Sequence, residues 1–300
     1  MRKQKQTEHH IRYEYWIILE MNVERKDLPI GIFDSGVGGL TVFSAIAKSM
    51  PHENLLYLGD TARVPYGARS PKTVLRYAQC VAGHLANRGI KALVIACNTA
   101  TSYALNELRE AAAKENIPVI GVIEPGAIDA VQRSTAQKIG IIGTEGTIRG
   151  QKYEEALRRL SPEVTIYTQA CPLLVPLIEE GWVDDPVTKE VLARYLTPLQ
   201  QGPDTLIMGC THYPLITPLI QEFLPHVQLI NSAHATAKIC KSELAKLSLL
   251  RKSKDSGSYH LLATDNLEKF RKISYYFLGS LSTSLDLVDL NESDFERFQL

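Results

Sequence analysis

The stretch ALVIACNTA, residues 92–100, decides how this chain folds. Five apolar residues lead directly into Cys97, and two small hydrogen-bonding residues, Asn98 and Thr99, follow it. An unbroken apolar run of this length is typical of a strand that is buried on both faces of a parallel sheet. The stretch therefore predicts a buried strand that ends at a cysteine.

A second stretch, TLIMGCTHYP at residues 205–214, has the same form. Cys210 follows its apolar run, and Thr211 and His212 come next. In an open parallel sheet, ligands bind beyond the carboxyl ends of the strands. Either cysteine alone is compatible with a small buried apolar residue, but two cysteines in matching positions favour a functional pair.

Strands and helices alternate along the rest of the chain. Strands are predicted over residues 28–33, 54–58, 92–96, 118–123, 138–143, 205–209, 227–230 and 259–263, and helices over 41–49, 73–88, 101–114 and 266–278. The pattern repeats, because 63 positions separate Asp34 from Cys97 and 67 separate Gly143 from Cys210. This alternation predicts an α/β fold with two similar, doubly wound parallel-sheet domains.

Composition argues against several classes of protein. Lys and Arg together number 33, as do Asp and Glu, so a nucleic-acid-binding protein that relies on bulk positive charge is not expected. No apolar run approaches the roughly 20 residues that a membrane span needs. The five cysteines include no CxxC pair, so neither a disulfide framework nor a structural zinc site is expected. Free thiols indicate a reducing compartment.

The first 23 residues are expected to form a flexible extension. Its apolar patch at residues 15–19 is five residues long and lies between Glu14 and Glu20, unlike the core of a secretory signal. We therefore expect a cytoplasmic protein, with Met21 as an alternative start.

A glycine-rich segment, DSGVGGL at residues 34–40, follows the first predicted strand and precedes a helix. Its glycines allow the backbone to approach an anionic ligand, and Asp34 stands at the strand end. The segment matches neither GxxxxGK[ST] nor GxGxxG, so it is not a typical nucleotide-binding loop. A tight strand-to-helix turn is the alternative explanation for its glycines.

His212 lies two residues after Cys210 and is a candidate partner for that thiol. A metal site is not expected, because no second pair of ligands accompanies the Cys-x-His spacing. Glu179, in ACPLLVPLIEEGW at residues 170–182, is a candidate acidic residue. A solvated carboxylate at a helix end is its alternative explanation.

Together, DSGVGGL, PYG, CNTA and CTHYP resemble the motifs of glutamate racemases, and they occur here in the same order. The segments YLGDTARVPYG and ACPLLVPLIEEGW also resemble that family, and the similarity runs from about residue 29 to about residue 280. Aspartate racemases and related isomerases share the two-cysteine plan but resemble this chain less in DSGVGGL and PYG.

The resemblance implies a racemase that acts on free glutamate without a cofactor and supplies D-glutamate for peptidoglycan synthesis. Its site would lie between the two domains, and a homodimer is expected. Cys97 and Cys210 would be the two catalytic bases, one on each face of the substrate α-carbon. Asp34 would assist Cys97, whereas His212, oriented by Glu179, would assist Cys210. Substrate contacts are implied for Asp34, Ser35, Tyr66, Gly67, Asn98, Thr99, Thr211 and His212.

The resemblance also predicts domain boundaries. The first domain would hold residues 24–121 and 230–290, the second residues 122–229, and residues 291–300 would form a tail. The chain departs from the family at residues 231–233, which read NSA where the family often reads DSG. An aspartate racemase, a two-domain amino-acid-binding protein without catalysis, and a second role in binding another protein remain alternatives.

Overall fold

The computed structural model describes residues 24–279, 281 and 283–298. The predicted extension over residues 1–23, including Met21, lies outside the described residues. The strands are β1 (Ile30–Asp34), β2 (Leu55–Gly59), β3 (Ala92–Ile95), β4 (Val119–Gly121), β5 (Lys138–Gly143), β6 (Thr165–Ala170), β7 (Thr205–Gly209), β8 (Gln228–Ile230), β9 (Tyr259–Ala263) and β10 (Ser284–Leu287). The α-helices are α1 (Leu40–Ser49), α2 (Pro71–Asn87), α3 (Asn98–Ala113), α4 (Ile123–Arg133), α5 (Glu145–Arg149), α6 (Lys152–Leu160), α7 (Leu174–Glu179), α8 (Pro186–Leu196), α9 (Thr217–Phe223), α10 (Ser232–Lys246), α11 (Leu267–Leu278) and α12 (Glu292–Arg297).

The first sheet has the spatial order β10-β9-β2-β1-β3-β4, and every neighbouring pair is parallel. Its central strands are buried along their whole length because helices cover both faces. Side chains alternate between the faces. Ile30 and Ile32 therefore pack in one apolar cluster, while Phe33 packs in another on the opposite face.

The second sheet has the order β6-β5-β7-β8, again all parallel. The first sheet contains the same sequence of neighbours, β2-β1-β3-β4, so β5 corresponds to β1 and β7 to β3. The predicted α/β fold with two similar parallel sheets is thus confirmed. Strands β6 and β10 were absent from the prediction, because each lies at a sheet edge, has no fully buried residue and lacks an apolar run.

This topology places both cysteines at equivalent points. In each sheet the central strand, β1 or β5, pairs with the next strand of the chain on one side and with the strand before a cysteine on the other. Ligands of doubly wound sheets bind at such a switch in strand order. Cys97 and Cys210 directly follow the strands β3 and β7, so each stands at its sheet's switch point.

The chain crosses to the second sheet after β4 and returns after β8. Helices α4 and α10 lie within these crossovers and pack against each other. Asn231, where the sequence departs from the family, caps α10 by accepting a 3.0 Å hydrogen bond from the backbone N–H of Ala233. The predicted domain boundaries stay a prediction. Strand β8 ends at Ile230, one residue beyond the predicted end of the second domain at residue 229.

The segment predicted as a tail includes α12, which packs against α2. The carboxylate of Asp294 is 3.1 Å from Nδ1 of His84, and Gln79 donates a 3.1 Å hydrogen bond to the carbonyl of Phe298. Its described part therefore belongs to the helical layer over the first sheet. Over the described ranges, no helix combines the length and the apolar character needed to cross a membrane.

Candidate active site

Cys97 lies between β3 and α3, where the buried strand ends and the helix begins. Its Sγ accepts a hydrogen bond from the backbone N–H of Ala100 at 3.4 Å, so the cysteine caps the helix. The thiol also donates to Oγ of Ser35, 3.7 Å away at the end of β1. Burial raises the pKa of Cys97 to about 12, and the negative charge of Asp34 adds to the rise. Cys97 is therefore a protonated thiol at neutral pH.

Asp34 is the last residue of β1 and is fully buried. Its Oδ2 accepts a 3.1 Å hydrogen bond from the backbone N–H of Gly36, whereas its Oδ1 has no protein partner among the described residues. Burial raises the pKa of Asp34, although the positive charge of His212 and nearby backbone N–H groups oppose the rise. A carboxyl group with a raised pKa exchanges protons more readily near neutral pH.

Cys210 directly follows β7 and has a different partner. Its Sγ is 3.8 Å from Nδ1 of His212, and the other ring nitrogen, Nε2, is 3.1 Å from Oε1 of Glu179. Glu179 ends α7, so the end of this helix places a carboxylate against the imidazole. The carboxylate, imidazole and thiol thus form one chain of polar contacts.

These contacts govern the charge of His212. Burial alone would lower its pKa, but hydrogen bonds to Cys210 and Glu179, together with the negative charge of both groups, raise it to about 10. For Glu179, burial would raise the pKa, and the hydrogen bond and charge of His212 outweigh burial and lower it. His212 is therefore an imidazolium at neutral pH.

One cavity lies between the carboxyl edges of the two sheets. Nine of the eleven predicted site residues line it: Ser35, Tyr66, Gly67, Cys97, Asn98, Thr99, Cys210, Thr211 and His212. The other two are adjacent to this lining: Asp34 directly precedes Ser35 at the end of β1, and Glu179 contacts His212. No Lys or Arg side chain is among the residues described around the cavity. An anionic ligand would therefore be held by N–H and hydroxyl groups.

Asn98, the first residue of α3, is oriented by a tyrosine of the other half. The hydroxyl of Tyr153 donates a 2.8 Å hydrogen bond to Oδ1 of Asn98. The amide nitrogen of Asn98 is buried and has no protein acceptor in the described part of the chain. A buried donor of this kind is costly unless a ligand or water satisfies it.

Sequence reasoning missed two threonines that line the cavity, Thr144 and Thr147. The hydroxyl of Thr99 is 2.8 Å from that of Thr144 and 3.2 Å from that of Thr147, which links the two halves of the site. A signal was present, because Thr144 directly follows β5 just as Ser35 follows β1. The strand-end rule, applied to the second repeat, identifies this position.

Tyr66 is fully buried, and its hydroxyl donates a short hydrogen bond to Oδ2 of Asp60. The Tyr66 hydroxyl is therefore bound to a protein carboxylate, whereas the family resemblance implied that Tyr66 contacts the substrate. Within the described ranges, no group of three or more His, Cys, Asp or Glu side chains is arranged to hold a metal ion.

Comparison with known proteins identifies relatives with the same architecture. The family model described as Asp/Glu/Hydantoin racemase matches residues 40–240. A glutamate racemase of Geobacter metallireducens is 48% identical over 252 residues, which cover 83% of this chain and 92% of that protein.

Solved structures agree with this match. A glutamate racemase isoform from Bacillus anthracis superimposes with a TM-score of 0.84 at 39% identity, covering 88% of this chain and 98% of that one. A Francisella tularensis glutamate racemase, solved in complex with D-glutamate, gives a TM-score of 0.82 at 34% identity, covering 89% and 99% of the two chains.

Proposed function

Because this chain belongs to the Asp/Glu/hydantoin racemase family, we propose that it interconverts L- and D-glutamate by proton transfer at two cysteine sulfurs, without a cofactor. One observation carries the proposal: Cys97 and Cys210 stand at equivalent strand ends of two similar sheets and line the same cavity. Inversion of a stereocentre by proton transfer needs one acid–base group on each face of the α-carbon. Two facing half-sites are suited to that requirement.

The two cysteines have different surroundings. Cys97 is a thiol, since burial and Asp34 raise its pKa to about 12. Cys210 contacts an imidazolium, which stabilises negative charge on the sulfur. In the proposed reaction, Cys97 is placed to donate a proton on one face, and Cys210, beside the imidazolium, is placed to remove a proton on the other.

In the proposed reaction, the Cys210 thiolate removes the α-proton, and the C–H electron pair is delocalised into the α-carboxylate. The Cys97 thiol then delivers its proton to the opposite face, so that the reaction ends with a Cys97 thiolate and a Cys210 thiol. For the opposite enantiomer, the same steps occur in reverse, and Cys97 removes the α-proton. Asp34 would exchange a proton with Cys97, and His212, oriented by Glu179, would do so with Cys210.

Substrate binding is proposed for the uncharged donors of the cavity. The backbone N–H groups at the start of α3 favour a carboxylate, because a helix N-terminus carries partial positive charge. The proposed contacts that line the cavity are Ser35, the backbone of Tyr66, Gly67, Asn98, Thr99, Thr211 and His212, and Asp34 directly precedes Ser35. The carboxylate of Asp34, directly before Ser35, is proposed to balance the charge of the substrate ammonium group.

The cellular role and assembly are proposed from the family resemblance. The enzyme would act in the cytoplasm as a homodimer and supply D-glutamate for peptidoglycan, whose synthesis shapes the cell wall. Rescue of a D-glutamate-requiring bacterial strain by this gene tests the role. Failure of rescue by a well-expressed, active protein would contradict it.

The activity is tested by circular dichroism of purified protein incubated with L- or D-glutamate after dialysis against a chelator. We expect the signal from either enantiomer to decay to zero without added pyridoxal phosphate or metal. L- and D-aspartate are the matched control substrates. A preference for aspartate, or activity that returns only when a metal or cofactor is added, would refute the proposed function.

A further inference from the structure

Asp60 is a fully buried acidic residue that lies at the end of β2 and does not line the cavity. Its backbone N–H donates a 3.1 Å hydrogen bond to the carbonyl of Asp34, so it adjoins the end of β1. A buried carboxylate is stable only when hydrogen bonds or opposite charge replace its lost hydration. The partners of Asp60 therefore indicate what it holds in place.

Three side chains satisfy this carboxylate. Nε of Arg63 donates to both oxygens at 3.0 and 2.7 Å, and the hydroxyl of Thr264 donates to Oδ1 at 3.1 Å. The Tyr66 hydroxyl donates the short hydrogen bond to Oδ2. Thr264 also accepts a 2.9 Å hydrogen bond from the backbone N–H of Ala62. Asp60 thus ties the segment 60–67 to the ends of β2 and β9.

The anchored segment forms one wall of the cavity. Tyr66 and Gly67 both line it, next to Cys97. On its far side the segment meets the second half closely, because a Cβ atom at Gly67 would be only 2.6 Å from Cβ of Thr144. The segment is therefore held between Asp60 and Thr144, and a displacement at either end would move the cavity wall.

The ring of Tyr66 is fixed as well. Its centroid is 5.6 Å from that of Tyr77, and the Arg63 guanidinium lies over the same Tyr77 ring at 4.6 Å. Burial and the charge of Asp60 raise the pKa of Tyr66 well above its ordinary value, so the hydroxyl remains a donor. Arg63 neutralises Asp60, which limits the repulsion between Asp60 and the substrate carboxylates in the neighbouring cavity.

We infer that Asp60 is a positioning residue of the glutamate site: it holds Tyr66 and the backbone of residues 64–67 against the cavity, and the Tyr66 hydroxyl serves this anchor rather than the substrate. The inference rests on the proposed function for the identity of the ligand. A wall that contacts the unreacting parts of the substrate contributes equally to the ground state and the transition state, and its loss raises KM more than it lowers kcat.

The test is a double-mutant cycle with Asp60→Asn, Tyr66→Phe and the combined variant, in racemisation assays well below each variant's Tm. Each single change is expected to raise KM roughly tenfold, the typical effect of losing a hydrogen bond to a charged group, with kcat within about threefold of wild type. The combined variant should be no worse than the poorer single variant, because both changes break the same contact.

Thr61→Val is the matched control. Thr61 lies in the same segment, but its hydroxyl bonds to the backbone of Asp265 and not to Asp60. We expect its KM to stay within about twofold of wild type, even if its Tm falls as far as that of Asp60→Asn. An equal rise in KM for the control would show a general loosening of the segment and overturn the inference.

Two other outcomes also decide the question. Multiplicative KM effects in the combined variant would show that the Tyr66 hydroxyl acts on the substrate independently of Asp60, and unchanged KM in both single variants would remove the positioning role. Calorimetric titration with D-glutamate supplies the same comparison through the apparent Kd, which does not depend on a measured rate. A wild-type protein that binds glutamate but fails to racemise it would therefore refute the proposed function and leave the positioning role to be judged by Kd.

Discussion

Gly38 lies so close to His212 that a Cβ atom on residue 38 would overlap the imidazole ring and the hydroxyl of Thr211. The glycine-rich loop after β1 thus touches the histidine that contacts Cys210 on the other sheet. The hydroxyl of Thr41 adds a 3.3 Å hydrogen bond to the carbonyl of Thr211. The two half-sites are therefore in direct contact through a position where no side chain fits.

Gly38→Ala is expected to lower kcat roughly 100-fold, because the added methyl group must displace His212 or separate the two sheets. Gly36→Ala is the control in the same loop. Its Cβ would lie 3.4 Å from Cγ2 of Val64, which is close to ordinary contact, so we expect kcat within about threefold of wild type. Steady-state racemisation assays of both variants check this, and equal loss in both would contradict the steric explanation.

Cys97→Ala and Cys210→Ala are each expected to lower racemisation at least about 1,000-fold, because each removes the acid–base group from one face of the α-carbon. Cys80→Ala, which changes a buried thiol outside the cavity, should retain activity. Circular dichroism follows both the reaction and the folded state. Near wild-type racemisation by either of the first two variants would exclude a two-base mechanism.

In D₂O, product formed from either enantiomer should carry deuterium at the α-carbon from the first turnover. The delivered proton comes from a thiol that has exchanged with solvent, whereas return by the same cysteine allows substrate to keep its original hydrogen. NMR or mass spectrometry at low conversion, starting from each enantiomer, measures both. Product that largely retains its original α-hydrogen would point to a single base instead.

Glu179→Gln should move the alkaline limb of kcat/KM to lower pH. The contacts of His212 raise its pKa to about 10, so the imidazolium is present below that pH and is lost above it. Removing the negative charge of Glu179 lowers the pKa of His212. We expect the alkaline limb to shift by about one pH unit or more, because a hydrogen bond to a charged group is worth roughly 1.5–3 kcal/mol. An unchanged limb would mean that His212 does not control the rate.

Glu53→Gln should destabilise the fold by about 3–5 kcal/mol, because it leaves the buried ammonium of Lys91 without its carboxylate partner. The residues around the cavity should be unaffected. Glu243→Gln, which breaks the exposed pair with Lys246, should cost no more than about 0.5 kcal/mol. Urea denaturation of the two variants provides the comparison. Similar midpoints would show that the buried pair contributes little.

The apolar runs ending at Cys97 and Cys210 predicted the fold correctly, because a strand buried on both faces needs a continuous apolar sequence whatever its neighbours are. Local spacing also placed the pair at strand ends, where ligands of parallel sheets bind. Nine of the eleven predicted residues line the cavity, but Tyr66 and Gly67 do not follow a strand directly and were implied by the family resemblance. Strands β6 and β10 were missed because an edge strand without fully buried residues carries no such pattern.

Only the tertiary structure decided how the two half-sites differ. Both cysteines follow similar strands, yet burial beside Asp34 raises the pKa of Cys97, whereas Glu179 and Cys210 hold His212 as a cation. The sequence also did not predict that the Tyr66 hydroxyl binds Asp60, or that Gly38 contacts His212. Strand patterns depend on neighbours along the chain, but charge and contact depend on groups that folding brings together from distant positions.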